Sequence, residues 1–219
     1  MKKFMIVVAG GSGTRMGADI PKQFLLLGGR PVLMRTLENI YRIDAGISLI
    51  LVLPRSQRDY WAELCEKYHF EVPVTLADGG ATRFESVKNG LAMVDGDGLV
   101  AVHDGVRPFL TSSVVDACYS AAALHGAAVP VVAVHETVRH VVGGTSHTVA
   151  RDEYRLVQTP QAFLSQVLIS SYDCDYNEGF TDDASVVEAA GHPVTLVDGD
   201  RRNIKLTTPY DMLVGTALL

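Results

Sequence analysis

The chain has 219 residues, 47% hydrophobic and 20% charged, and its 19 basic and 25 acidic side chains leave a net charge of −6. That size suits a single domain with a sizeable core, and the composition excludes an intrinsically disordered chain. The acidic balance argues against a dedicated nucleic-acid binder, though a local basic pocket for a small anion remains compatible with it.

Phe4–Ala9 is a continuous apolar run ending in a glycine-rich turn, the pattern of a buried parallel strand. Pro31–Arg42 is predicted helical, with Pro31 in the first turn and Leu33, Leu37, Ile40 and Tyr41 on one face. Ser48–Leu53 reads as a strand closed by Pro54, and Ser56 caps a helix through about Tyr68. Val72–Ala77 is a strand, and Asp78-Gly79-Gly80 turns the chain into a helix near Thr82–Met93. Leu99–Val102 is a strand ending at His103-Asp104, followed by a helix from about Ser112 to Leu124 and a strand at Ala127–Val132. This alternation predicts an α/β fold: a parallel sheet with helices on both faces.

Residues 133–158 break the rhythm. Thr137–Val142 and Thr145–Arg151 flank Gly143-Gly144 and read as a β-hairpin. An isolated hairpin is marginal in water, so it packs on its own domain or reaches over a partner subunit. Helices near Phe163–Tyr172 and Asp182–Ala190, a strand at Pro193–Val197 and a helix from about Thr208 complete the pattern. No apolar run is long enough to span a membrane. The opening Met1-Lys2-Lys3 resembles a signal peptide, but Gly10-Gly11 interrupts the apolar stretch too early, which predicts a cytoplasmic chain. Cys65, Cys118 and Cys174 are scattered and support neither a disulfide framework nor a cysteine zinc site.

Three segments carry chemistry. Ala9-Gly10-Gly11-Ser12-Gly13-Thr14-Arg15-Met16-Gly17 follows the first strand, where open α/β sheets bind ligands. Glycines there let backbone N–H groups approach phosphate oxygens. A Walker loop fails for want of Gly-Lys-Ser/Thr, and the dinucleotide fingerprint fails because Met16 stands where its last glycine belongs. What remains is a glycine loop with Arg15, then Lys22 in Pro21-Lys22-Gln23; these are either phosphate-binding cations or solvated ones on a plain turn. The second segment, His103-Asp104-Gly105-Val106-Arg107-Pro108, presents Asp104 at the same sheet edge, where a lone carboxylate suits Mg²⁺ or Mn²⁺ together with substrate phosphates. Arg107 could instead pair with Asp104, and His103 reads as structural. The third comprises Thr181-Asp182-Asp183-Ala184-Ser185, by default a helix cap, and Asn203-Ile204-Lys205, whose lysine alone reads as a surface residue. The histidines lack metal-ligand spacing.

Taken in order, the Arg15 glycine loop, Pro21-Lys22-Gln23, His-Asp-x-x-Arg-Pro at 103–108, Gln158-Thr159-Pro160-Gln161, residues 181–185 and Asn203-Ile204-Lys205 resemble the 2-C-methyl-D-erythritol 4-phosphate cytidylyltransferases of the non-mevalonate isoprenoid pathway. The match covers nearly the whole chain. It implies a Rossmann-like nucleotide-diphosphosugar-transferase fold in one domain over 1–219. It also implies a homodimer held by a protruding β-arm at about 134–157. The implied reaction joins CTP to a polyol phosphate with Mg²⁺ or another divalent cation such as Mn²⁺, releasing pyrophosphate.

The resemblance also assigns roles. Arg15, Lys22, Arg151 and Lys205 would be catalytic, with Arg15 and Lys22 around the triphosphate and Asp104 on the metal. Ala9, Gly10, Gly11, Gly13, Thr14, Gly80, Ala81, Arg83, Ser86 and Gly105 would bind the nucleotide. Arg107, Thr137, Arg151, Thr181 and Lys205 would bind the acceptor, Thr137 and Arg151 doing so in the neighbouring subunit. The chain departs from the commonest family forms at Ala9-Gly10-Gly11 and Gly105-Val106. Those segments and Thr207-Thr208-Pro209-Tyr210-Asp211 are also similar to ribitol 5-phosphate cytidylyltransferases, which makes ribitol 5-phosphate the alternative acceptor. Residues 181–188, Thr137 and Arg151 side with methylerythritol phosphate. An oxidoreductase would need the missing glycine fingerprint and an acidic residue where Pro54-Arg55 stands. A catalytically dead binding protein would lack Arg15, Lys22, Asp104 or Lys205, and all four are present.

Overall fold

A computed structural model describes residues 1–11 and 20–219; Gly13, Thr14 and Arg15 lie outside the described residues. In chain order the elements are β1 (Lys2–Val8), the short pair β2 (Leu26–Leu27) and β3 (Arg30–Pro31), α1 (Val32–Ile43), β4 (Ile47–Leu53), α2 (Arg58–Lys67), β5 (Thr75–Asp78), α3 (Arg83–Leu91), β6 (Gly98–Asp104), α4 (Ser112–His125) and β7 (Ala127–Ala133). Then come β8 (Arg139–Val142), β9 (Thr145–Thr148), β10 (Arg155–Val157), β11 (Gln161–Leu164), α5 (Ser165–Ser171), α6 (Asp183–Ala189), β12 (Thr195–Asp198) and α7 (Pro209–Ala217).

The central strands are apolar throughout because both their faces are covered. Met5, Val7, Leu49, Leu51 and Leu53 point into one core with Leu33, Leu37 and Ile40 of α1, Leu64 of α2 and Val115 and Cys118 of α4. Phe4, Ile6, Ile50 and Val52 point the other way, onto Phe84 and Val87 of α3, Leu168 of α5 and Val187 of α6. Successive side chains of a strand alternate between faces, so each strand feeds both cores. Fully burying each such aliphatic side chain contributes ~2 kcal/mol, which holds the sheet at the centre.

The sheet order is β10-β7-β11-β6-β1-β4-β5, with β12 along the other side of β7. β6, β1, β4 and β5 run parallel, as β7 and β12 do with each other, while β10 and β11 run antiparallel to their neighbours. The expected parallel sheet with helices on both faces is therefore present, mixed at one side.

Three expectations need correction. The apolar run Phe163–Tyr172 is not one helix: Gln161–Leu164 is a strand, and only Ser165–Ser171 is helical. The slot between β6 and β7 overrides the local pattern, because Ala162 and Phe163 are wholly buried there. Arg155–Val157, read as the end of the irregular region, is an edge strand on β7. The hairpin forms about Gly143-Gly144 but is shorter than expected, and Arg151 sits in a 3₁₀ turn (Arg151–Glu153) beyond it.

Candidate active site

β1 and β6 end side by side, with Val8 opposite Asp104. The loops leaving these parallel strands meet there, as the sheet topology requires. Ala9, Gly10 and Gly11 form one wall of a cleft of about 240 Å³, Gly80, Ala81, Arg83 and Ser86 another, and Lys22, Asp104 and Lys205 complete it. Lys22 lies over Gly11, where a Cβ would stand 3.2 Å from its Cε. Behind the first loop, Gln23 Nε2 donates to Ala9 O at 2.7 Å and to Gln57 Oε1 at 2.7 Å. Gly105 backs the cleft: its N–H donates to Val8 O, its carbonyl accepts from Thr36 Oγ1, and a Cβ would stand 2.9 Å from Leu33 Cδ1.

Asp104 is the electrostatic centre. Its Oδ2 accepts from Arg107 Nε at 2.9 Å and lies 3.2 Å from Lys205 Nζ. Burial alone would raise its carboxyl pKa. The charges of Lys205, Arg107 and Arg83, with the Arg107 hydrogen bond, overcome that and hold it well below the ordinary carboxylate range. Among the described residues no three His, Cys, Asp or Glu side chains cluster to cage a metal. Among the described residues, the Arg107 and Lys205 contacts of the Asp104 carboxylate fall on Oδ2. The remaining oxygen suits a hard cation that draws its other ligands from water and phosphates. Arg107 is committed beneath the cleft, its Nη1 donating to Asn203 O at 2.7 Å.

A buried chain of hydrogen bonds fixes Asp104 from behind. Its N–H donates to Thr159 Oγ1 at 3.1 Å, Thr159 Oγ1 meets His103 Nδ1 at 3.0 Å, and His103 Nε2 meets Arg107 O at 3.2 Å. A carbonyl only accepts, so His103 carries its proton on Nε2, and the Thr159 hydroxyl donates to Nδ1. Burial lowers the His103 pKa to about 4 against the opposing pull of Asp104, so the imidazole is neutral at ordinary pH. It is a brace, as the sequence reading held. Thr159 is the residue that reading missed: Gln158-Thr159-Pro160-Gln161 was visible as a motif, but its partner Asp104 is far away in the chain. Asn203 Nδ2 completes the brace by donating to Thr159 O at 2.8 Å.

The second wall is built at the start of α3. Thr82 caps the helix in a reciprocal box with Glu85. Glu85 Oε2 also accepts from Ala81 N–H at 2.6 Å, and Ser86 Oγ accepts from Gly80 N–H while donating to Thr82 O. A Cβ on Gly80 would overlap the Glu85 side chain. Arg83 forms a two-pronged pair with the fully buried Asp183, which also accepts from Tyr172 O–H at 2.7 Å. Burial would lower the Arg83 pKa, but the Asp183 charge and hydrogen bonds raise it beyond the ordinary arginine value. Gln161 holds the start of α6, donating to Asp182 Oδ2 and accepting from Ala184 N–H.

Not every expected residue reaches the cleft. Thr181 is exposed just before the α6 cap, and Thr137 and Arg151 are exposed on the arm, with Arg151 Nη1 donating to His135 O at 2.6 Å.

Fold and site together define a class: an α/β nucleotidyltransferase, which acts by gathering phosphates between cations and backbone N–H groups at parallel strand ends. The comparisons agree. The IspD family model, 2-C-methyl-D-erythritol 4-phosphate cytidylyltransferase, matches residues 4–219. The chain is 58% identical over 219 residues to the 2-C-methyl-D-erythritol 4-phosphate cytidylyltransferase of Bacteroides thetaiotaomicron, with 100% of both chains covered. It is similar to the structure of 4-diphosphocytidyl-2C-methyl-D-erythritol synthase from Anaerococcus prevotii, with TM-score 0.83 and 29% identity over 98% of this chain and 94% of that one. The 2-C-methyl-D-erythritol 4-phosphate cytidylyltransferase structure from Thermus thermophilus gives TM-score 0.75 and 32% identity over 97% and 96% of the two chains. The chain belongs to the 2-C-methyl-D-erythritol 4-phosphate cytidylyltransferase family.

Proposed function

We propose that the chain transfers the cytidylyl group of CTP to 2-C-methyl-D-erythritol 4-phosphate, giving 4-diphosphocytidyl-2-C-methyl-D-erythritol and pyrophosphate. The observation that carries this reading is Asp104, a buried carboxylate kept ionised by Lys205 and Arg107 where the glycine loop and the Gly80–Ser86 loop converge. An oxygen of the acceptor phosphate attacks the α-phosphorus in line. A new P–O bond forms, and the bond to the bridging oxygen of the β-phosphate breaks, releasing pyrophosphate. The attacking oxygen is already anionic and needs no base. His103 is sealed from solvent with both ring nitrogens engaged, so it is not one.

Both reactants are polyanions, so their repulsion is the main obstacle, and fixed positive charge supplies most of the catalysis. Lys22 neutralises the triphosphate, together with Arg15 in the role the resemblance implies. Lys205, its side chain 42% exposed beside Asp104, can turn to the acceptor phosphate. Asp104 would hold Mg²⁺ or Mn²⁺, which would supply positive charge to offset that of the phosphates. The start of α3 sets the direction of CTP. Its Ala81 and Thr82 N–H groups already receive the Glu85 carboxylate, which repels phosphate. The cytidine half therefore lies at Gly80–Ser86 and the triphosphate at Gly10–Lys22.

The reading includes a homodimer in the cytoplasm, whose arm carries Thr137 and Arg151 to the neighbouring cleft. Exposed Val141, Val142, Leu156 and Val157 on the arm and its root supply an apolar surface for that contact. The test is pyrophosphate release with CTP and Mg²⁺, comparing methylerythritol 4-phosphate with ribitol 5-phosphate. Strong preference for the former is expected. Preference for ribitol phosphate would overturn the acceptor, and silence with both, from folded protein that binds CTP, would overturn the transferase reading.

A further inference from the structure

The arm hairpin turns at Gly143 (φ +54°) and Gly144 (φ +81°), both left-handed, as the tight two-residue turn favoured in hairpins requires. That turn fixes the register. Val142 faces Thr145, Val141 faces Ser146, and His140 faces His147. Val149 N–H donates to Val138 O and carries the ladder one pair further. Directly opposed residues project from the same face of the ribbon, so both imidazoles stand together. Their ring centroids are 5.1 Å apart, with the planes at 78°.

We propose that His140 and His147 form a binding site for a divalent transition-metal ion, with Zn²⁺ as the type case. Two imidazole nitrogens on one tetrahedral ion, each at about 2.0 Å, place the ring centres about 5 Å apart. The observed separation already meets that requirement, so chelation needs ring rotation and no backbone movement. The charge nearest in sequence faces away. Arg139 projects from the opposite face, where its Nε donates to Ser146 Oγ at 3.0 Å and its Nη2 to Ser146 O at 2.9 Å. Those bonds also tie the two strands together, which pre-organises the pair. Every residue of β8 and β9 is exposed in the single chain, so neither ring is committed to a core.

Imidazole suits Zn²⁺, Cu²⁺ and Ni²⁺ rather than hard Mg²⁺, so this site and the lone carboxylate Asp104 select different ions. The ion would cross-link the strand that follows Thr137 to the strand that precedes Arg151. A consequence for acceptor binding rests on the proposed function, whereas metal binding itself does not.

The test is calorimetric titration of the full chain with Zn²⁺, without nucleotide or Mg²⁺, at one fixed, mildly alkaline pH. A micromolar site is expected. His140→Gln and His147→Gln should each weaken it about tenfold or more, and the double variant should lose no more than either single one, since chelation needs both rings. Weak binding by the exposed Cys174 thiol persists in all variants and serves as background. Equal zinc affinity in the parent and the double variant, with matching circular dichroism, would overturn the proposal. Asp104→Asn should keep the zinc site, so failure of the transferase reading and failure of this one are separately visible.

Discussion

Replacing Thr159 by Val keeps the branched shape and removes only the hydroxyl. Two groups then lose their partner: the Asp104 N–H, which donates to Oγ1 at 3.1 Å, and His103 Nδ1, 3.0 Å from it. Asp104, Thr159 and His103 are all buried, so water does not replace the lost bonds. Each stranded polar group costs about 1–3 kcal/mol, giving on the order of 2–6 kcal/mol for the pair. In a chain of this length each kcal/mol moves Tm by about 2–4 °C, so a drop of roughly 4–24 °C is expected. Calorimetric melting measures it, and Thr159→Ser, which retains the hydroxyl, should recover most of the loss. The kcat for pyrophosphate release should fall alongside, because Asp104 loses its backbone anchor. A Thr159→Val protein melting within about 2 °C of the parent would refute the brace.

His103 predicts a pH dependence of its own. Its pKa is lowered to about 4 in the folded chain from an ordinary 6.5, so the unfolded chain takes up the proton first as pH falls. The contribution of the neutral imidazole, on the order of 3 kcal/mol, is complete above about pH 6.5 and is lost as pH falls toward 4. Urea midpoints across that window should show the slope, and His103→Gln should flatten it; an unchanged slope would remove His103 as its source. Gly80→Ala should push Glu85 off the Ala81 N–H and raise KM for CTP several-fold, which steady-state kinetics would detect; an unchanged KM counts against the cytidine placement. Lys22→Ala should lower kcat by about 10²–10³, and Arg151→Ala should chiefly raise KM for the acceptor. Mixing the two variants at low acceptor concentration should raise activity above that of either alone if the arm acts in trans, and no recovery after confirmed subunit exchange would refute the shared site.

Where the chain's own pattern decides structure, the sequence is readable. β1, β4 and β6 show as apolar runs because the sheet is covered on both faces, and the hairpin shows because Gly143 and Gly144 accept left-handed backbone. The cleft was legible because parallel strands deliver their loops to one edge, which places Asp104 near the glycine loop before any distance is known. What was hidden depends on distant partners. β11 merges with α5 into one apolar run, and only the gap between β6 and β7 makes it a strand. Lys205 looks like any surface lysine until Asp104 appears 3.2 Å away. His140 and His147 lack the local spacing of metal ligands. Counting outward from Gly143-Gly144 would have paired them, since hairpin register rather than helical spacing brings them together.

β11 fills the slot between β6 and β7, yet it is made after both. A growing chain therefore holds two central strands with facing edges unpaired until the Gln161–Leu164 segment emerges. Those edges offer N–H and C=O groups to any passing strand, including that of another nascent chain. Thr159 arrives in the same stretch, so filling that slot and anchoring the Asp104 N–H are one event. A chain that stops short of Thr159 keeps those edges open to pairing with a neighbour and lacks the hydroxyl that holds the Asp104 N–H.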